Sequence, residues 1–315
     1  MQIVQAPRAA AILYGLLTSQ GHTRPWLLPA NICPIVPIVF LKAGVPFELV
    51  DISEATLHMD LDQASDRLRR ARFGGVLYAH TYGEASTPNE FFELVKTRDP
   101  ELLVLDDRCL CPPDVDAPTA LAADVALYST GYAKHVDLGF GGYAFMHSAT
   151  PYVPASLAFV PSHYVELEAS YQASIKTGSR FTYHDSDWLE TNAPTTAWAE
   201  YRQQVTAGLE LSRKQRALIS AVYIQALPAE LQLPTAYQSW RFNLRVKNQR
   251  RILDAIFSAN SFASAHYASL SGIMGAGRCP QAEALASEVV NLFIDHHFSA
   301  DQAERVCAVI LANLR

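Results

Sequence analysis

DVALYSTGYAKHVDLGFGGYAFM, residues 124–146, is the stretch whose reading decides how this chain folds. Val125 to Tyr128 reads as a buried strand and Ser129 to Lys134 as a tight loop. Gly139, Gly141 and Gly142 then form a turn that returns the chain into a second apolar strand. One lysine, Lys134, stands in the middle of the loop. By itself it is either a solvated charge or an amine nucleophile, and the choice rests on what else converges on it.

Working outward, apolar runs and helical patterns alternate before this stretch. A helix is predicted over Arg8 to Ser19, a strand over Trp26 to Pro29, and a helix over Ile32 to Ala43 despite Pro34 and Pro37. The alternation continues with strand Phe47 to Asp51, helix Leu61 to Arg72, strand Gly75 to His80, helix Pro88 to Lys96 and strand Leu102 to Asp106. That order predicts an α/β fold, a mostly parallel sheet sandwiched by helices. Ligands bind such sheets off the carboxyl ends of the strands. The residues at those ends are Asn31, His80, Tyr82, Asp107, Ser129 and Lys134, which supply acid, base, hydroxyl and amine. Together they make a candidate site with one negative charge and one possible amine nucleophile.

Beyond Phe145 the pattern loosens. Thr150 to Asn192 reads as an irregular covering segment, and Thr196 to Ala226 as a helix pair. After Pro228 and Pro234 a smaller α+β unit is expected. It comprises strand Ser239 to Val246, helix Asn248 to Ala259, a glycine-bearing loop, helix Gln281 to Ser287, strand Val289 to Ile294 and helix Ala300 to Leu314. The domain expectation is therefore 1–192 as a large α/β domain, 193–234 as connecting helices and 235–315 as a small C-terminal α+β domain.

The 315 residues suffice for one large or two medium domains with a real core. Half are hydrophobic and 18% are charged, which predicts a globular protein. A net charge of -6 argues against nucleic-acid and anionic-membrane partners, which need a clustered basic surface. The basic cluster Arg245 to Arg251 reads as a solvated helix face. Five scattered cysteines make no disulfide framework, and the Cys109-x-Cys111 pair has no second pair to complete a zinc set, so thiols in a reducing cytoplasm and no metal are expected. Ala9 to Leu17 has only Arg8 before it and no clear cleavage site, so it is not read as a leader. Residues 26–50 hold prolines that argue against a membrane span.

Several motifs in order resemble one family. LPANICP (28–34), AGVPFELVDI (43–52), HTYG (80–83), VLDD (104–107), DVALYSTGYAK (124–134) and GFGG (139–142) are similar to the DegT/DnrJ/EryC1/StrS aminotransferases, as are WRFNLRV (240–246), HYASL (266–270) and the stretch 280–306. These are fold-type-I enzymes dependent on pyridoxal 5'-phosphate (PLP), many of which make amino sugars. The likeness covers nearly the whole chain. It implies a PLP Schiff base on Lys134, a pyridinium partner in Asp107 and a phosphate ligand in Ser129. The chemistry is coherent, because PLP acts as an electron sink when a carboxylate keeps its ring nitrogen protonated. Against these roles stand a turn aspartate for Asp107 and a turn-capping serine for Ser129, with Asp106 read as structural.

The chain also departs from the family pattern. The phosphate cradle, usually Gly-Thr, falls on Pro7, Arg8 and Ala9, of which Pro7 has no N–H and Arg8 adds a cation. Cys33 falls where an aromatic ring commonly stacks on the cofactor. Leu110 replaces a polar residue, Phe140 replaces a common Glu, and most of the N-terminal segment that members carry is missing. The resemblance implies a homodimer with shared active sites, in which Asn192 falls roughly where a partner's Asn reaches the phosphate, a simple loop cap being the other reading. His80 and Tyr82 end a strand over the site, His80 as catalytic or merely buried, and Arg241 either holds a substrate carboxylate or pairs structurally. The leading expectation is an aminotransferase that moves an amino group from a small-molecule donor to a keto sugar or a small keto or aldehyde acceptor. The alternatives are a non-transaminating PLP enzyme (lyase, cyclase or decarboxylase) and a catalytically silent relative acting as a binding or regulatory subunit. A nicotinamide dehydrogenase is rejected, since no GxGxxG follows a predicted strand.

Overall fold

The computed structural model describes residues 1–21, 23–118 and 121–314. Seven strands, β1 (Gln2–Ala6), β2 (Trp26–Pro29), β3 (Phe47–Val50), β4 (Gly75–Ala79), β5 (Leu103–Asp107), β6 (Val125–Ser129) and β7 (Gly142–Met146), pair in the order β1-β7-β6-β5-β4-β2-β3. The pairs from β3 through β6 are parallel, whereas β7 runs antiparallel to both β6 and β1. Most parallel neighbours are joined through helices. β6 and β7 are joined by the Lys134 loop without an intervening helix and pair as an antiparallel hairpin.

Consecutive strand residues face opposite sides, and both sides are covered. Leu28, Leu77 and Leu105 join the core beneath α1 (Ala9–Thr18) and α2 (Ile35–Ala43). Leu27, Val76 and Val104 join the core beneath α3 (Leu61–Arg70) and α4 (Asn89–Arg98). Strands buried on both faces read as continuous apolar runs, which is how they appear in the sequence. α2 starts three residues later than its apolar pattern suggests, because the residue before a proline is disfavoured in helical geometry and Cys33 precedes Pro34. Pro37 is tolerated inside α2 because the first-turn N–H it lacks has no intrahelical acceptor.

Three features were not foreseen. β1 is an edge strand that lacks the continuous apolar run of the central strands, with Gln2 and Gln5 in it and Ile3 exposed. α5 (Pro161–Thr177) crosses the segment expected to be irregular, opening on Pro161 and closing on Gly178 at φ 66°. Of its residues only Leu167 and Tyr171 are buried, so it carries almost no apolar stripe. The expected helix pair is one helix of 29 residues, α6 (Trp198–Ala226). Its first half packs Tyr201 and Val205 against β6 and β7, and its second half packs Ile219 and Tyr223 against a second sheet.

That second sheet has three antiparallel strands rather than two, in the order β8-β10-β9: β8 (Phe242–Arg245), β9 (Ala263–Ser264) and β10 (Val289–Leu292). α7 (Gln249–Ser258) and α9 (Ala300–Asn313) cover it, and α8 (Pro280–Glu288) leads into β10. α8 is tied back to the large sheet by Asp51. That carboxylate follows β3 and accepts from the N–H groups of Gln281 (3.0 Å) and Ala282 (2.9 Å) at the helix start. Among the described residues no helix is long and apolar enough to cross a membrane.

Candidate functional site

A cavity of about 650 Å³ opens at the carboxyl ends of the central strands. Asn31 follows β2, His80 follows β4, Asp107 ends β5 and Ser129 ends β6, and all four line it together with Lys134, Arg8, Ala9 and Cys33. The strand-end rule thus places five of its six residues on one wall. Tyr82 is the exception. It is buried at φ 56°, and its carbonyl accepts the Trp240 N–H at 3.2 Å.

The Lys134 loop is held from three sides. Asp137 accepts the N–H groups of Ala133 (2.8 Å) and Gly139 (2.9 Å). Ala133, just before the lysine, sits in the left-handed region at φ 59°, which costs a non-glycine residue free energy and persists only where surroundings enforce it. One enforcing contact is the Trp240 indole, which donates to the Ala133 carbonyl at 2.7 Å. The others come from one face of α6, where Gly208, Ser212 and Arg216 are spaced at i, i+4 and i+8. A Cβ on Gly208 would lie 2.7 Å from Val136 Cγ1, so this mid-helix glycine lets the loop approach the helix. Ser212 donates to the His135 carbonyl at 2.5 Å. The buried Arg216 donates to the carbonyls of Lys134 (3.2 Å), His135 (3.3 Å), Ser239 (3.3 Å) and Trp240 (2.5 Å). Burial pushes the Arg216 guanidinium down to about 10, which leaves it cationic at neutral pH.

Asp107 is 8% exposed, and its Oδ1 accepts the Cys109 N–H at 3.0 Å. Opposite it, α1 opens the cavity wall. Ala11 N–H is the first to bond within the helix, to the Arg8 carbonyl, so the N–H groups of Ala9 and Ala10 precede the helical ladder at its electropositive end. Arg8 lies across that end, donating from Nε to Glu190 (2.9 Å) and from Nη1 to the Gly139 carbonyl (2.7 Å). β7 begins against the same turn: a Cβ on Gly142 would come within 2.3 Å of Ala9 N. Helix start, Arg8, Ser129 and Gly131 therefore share one corner of the cavity, with the donor set of an anion cradle.

Burial raises the Cys33 thiol, against the lowering effect of the nearby Lys134 charge, and raises Cys109 further, with Asp107 adding to it. Both are neutral thiols facing the cavity. His80 lines the wall but presents no free nitrogen. Its Nδ1 meets the Glu84 carbonyl at 2.7 Å and its Nε2 meets Asp106 at 2.6 Å, with Arg108 bonding the other oxygen of Asp106. Arg241 is buried outside the cavity, paired with Asp295 at 3.2 Å and stacked 3.5 Å above the Phe293 ring. Asn192 lies on a separate recess beside Gln5 and Pro7, donating to the Leu157 carbonyl at 2.7 Å.

Sequence reasoning missed several cavity residues. Tyr164 and Glu168 come from α5, Trp188 and Glu190 from the segment after it, and Tyr267, stacked on Trp240 (centroids 5.8 Å apart), from the loop after β9. No periodicity marks those segments. Asn31 was placed at a strand end but given no role. It lines the cavity and is 4% exposed, its Nδ2 donates to the Leu57 carbonyl at 3.0 Å, and its Oδ1 has no hydrogen-bond donor. Taken together, the cavity joins an amine, a buried carboxylate and an anion cradle. The described residues hold no cluster of metal ligands.

No family model matches the chain, and no curated protein sequence does. Its fold is shared by solved structures at low identity. A DegT DnrJ EryC1 StrS aminotransferase from Brucella abortus is 14% identical, with a TM-score of 0.68 over 100% of this chain and 86% of that one. A sugar aminotransferase, CalS13, from Micromonospora echinospora is 18% identical, with a TM-score of 0.63 over 98% of this chain and 87% of that one. An aminotransferase, TlmJ, from Streptoalloteichus hindustanus is 17% identical, with a TM-score of 0.70 over 99% of this chain and 86% of that one.

Proposed function

We propose that this chain is a PLP-dependent aminotransferase that holds its cofactor on Lys134. The observation that carries the reading is the convergence, in one cavity, of the Lys134 amine, the Asp107 carboxylate and the anion cradle at the start of α1. The fold shared with the aminotransferases above supports it. The residues fit the group. Lys134 would supply the amine for the cofactor aldehyde, Asp107 the carboxylate for the pyridine nitrogen, and Ser129, Arg8 and the start of α1 the donors for the phosphate. When bound, PLP supplies an electron sink for the carbon that bears the migrating amine.

The remaining roles belong to the chain. The Lys134 amine, when free, would hold or move the proton at the donor's alpha carbon. Asp107, fixed by its turn to Cys109, would keep a ring nitrogen beside it protonated. Tyr164, Trp188 and Leu189 line the cavity and would help to exclude water from it. Cys33, small and neutral, lines the wall where a stacking ring is common in the family the sequence resembles, and leaves room there. His80 orients the wall rather than exchanging protons, since both its nitrogens are engaged. Arg241 and Tyr82, outside the cavity, are given no substrate role. The acceptor is a keto sugar or a small keto or aldehyde metabolite. The active unit is a homodimer in which Asn192 serves the neighbouring site, and the five free thiols suit a reducing cytoplasm.

Borohydride reduction in the presence of PLP, followed by peptide mapping, tests the attachment. Label is expected on Lys134, and label on any other lysine overturns the assignment. Incubation with an amino donor is then expected to convert the cofactor to its pyridoxamine form. PLP that binds but never converts points to lyase, cyclase or decarboxylase chemistry, and a chain that takes up no PLP is a silent relative.

A further inference from the structure

A second basic run lies outside the Arg245 to Arg251 segment. RLRRAR, residues 67–72, holds four arginines in six positions and spans the end of α3 and the turn after it. Arg67 pairs with Glu48, and Arg69 with Asp66. Arg70 and Arg72 are exposed and, among the described residues, make no hydrogen bond or ion pair. Arg98, at the end of α4, is in the same state.

These side chains meet at one place. A groove of about 740 Å³ runs between the C-terminal ends of α3 and α4, lined by Arg69, Arg70, Arg72 and Arg98 and walled with apolar groups that include Leu68 and Val95. It lies at the amino ends of β4 and β5, whereas the Lys134 cavity lies at their carboxyl ends, so the two are on opposite edges of the sheet. Two carboxylates, Asp99 and Glu101, share the groove, which leaves it net positive on a chain of net charge -6. Helix C-termini do favour cations, but that preference falls off within a turn and does not require three unpaired guanidiniums in one concavity. Every cation in the groove is arginine. Its planar fork matches phosphate oxygens two at a time, which a lysine ammonium does not. The volume is that of a small-molecule site rather than of a flat macromolecular interface.

We propose that this groove binds a small organic phosphate through Arg70, Arg72 and Arg98, with an apolar portion against Leu68 and Val95. The site is independent of the Lys134 reading. Calorimetric titration of the full chain with pyrophosphate tests it. Saturable binding is expected, with sulfate weaker, and the R70A/R72A/R98A triple variant is expected to lose about tenfold or more in affinity, since each charge-assisted contact contributes measurably. The three side chains are exposed, so the variant keeps its fold, and an unchanged melting temperature checks that. Equal binding by the triple variant, or loss of binding in Arg8→Ala instead, assigns the anion to the Lys134 cavity and overturns the proposal. Tighter binding of hexaglutamate than of pyrophosphate also overturns it, because the groove then takes an acidic polypeptide.

Discussion

Replacing Arg216 with alanine tests how the Lys134 loop is built. Arg216 is 6% exposed, and its guanidinium donates to four backbone carbonyls and to Ser212 Oγ, two of those carbonyls belonging to Lys134 and His135. Each buried acceptor that loses its donor costs about 1–3 kcal/mol. Ser212 still serves the His135 carbonyl, and removal of a buried charge returns part of the loss. A net destabilisation of about 3–4 kcal/mol is therefore expected. Unfolding entropy of about 2.1 cal/mol/K per residue over this chain converts that to a fall of about 5 °C in melting temperature. Scanning calorimetry reads it, and PLP titration reads the second consequence, an affinity weakened by about tenfold as the loop relaxes. Arg216→Lys keeps the charge but cannot span four carbonyls, and is expected to fall between. A melting temperature within about 1 °C of wild type would refute the clamp. Lost stability with unchanged PLP affinity would refute its link to Lys134.

Two further outcomes follow from the same geometry. Gly142→Ala puts a methyl against the backbone of Ala9, so overpacking of about 1–3 kcal/mol and weaker PLP binding are expected together, and a variant with unaltered melting and PLP titration contradicts the tight junction. Burial lowers His58 to about 4 and His135 to about 3, with the charges of His80 and Arg216 respectively adding to the effect. The unfolded chain then binds protons below about pH 6.5 that the folded chain refuses, so stability is full above that pH and falls below it, by about 1.4 kcal/mol per histidine at pH 5.5. Melting temperatures should drop between pH 7 and 5.5, less so in H58Q, and a wild-type profile that stays flat to pH 5.5 counts against it.

The sheet was legible because buried parallel strands must be apolar on both faces and the helices between them must end at breakers. Leu27 and Leu28, or Val76 and Leu77, announce a doubly covered strand without reference to anything distant. The strand-end rule brought Asn31, His80, Asp107, Ser129 and Lys134 to one wall for the same local reason. Tyr82 broke the rule because the chain turns sharply at φ 56° and buries its ring. What stayed hidden depends on long-range packing. Arg241 looks the same in sequence whether it faces a cavity or Asp295, and the wall residues Glu168, Trp188 and Tyr267 sit in segments without a regular apolar period, although Trp188 itself is fully buried. Gly208 reads as a flaw in a helix until Val136 is seen against it.

The clamp on the Lys134 loop also bears on synthesis. Its contacts come from Ser212, Arg216 and Trp240, some 80 to 110 positions further along the chain. A nascent chain that has emerged only through β7 has the strands of the large sheet but not the restraints on its lysine, and domains generally fold as units. The Lys134 loop lacks its Trp240 contact until that residue has been synthesised. If Lys134 holds PLP as proposed, cofactor uptake would be coupled to completion of the polypeptide, and a prematurely terminated product would be a poor scavenger of PLP.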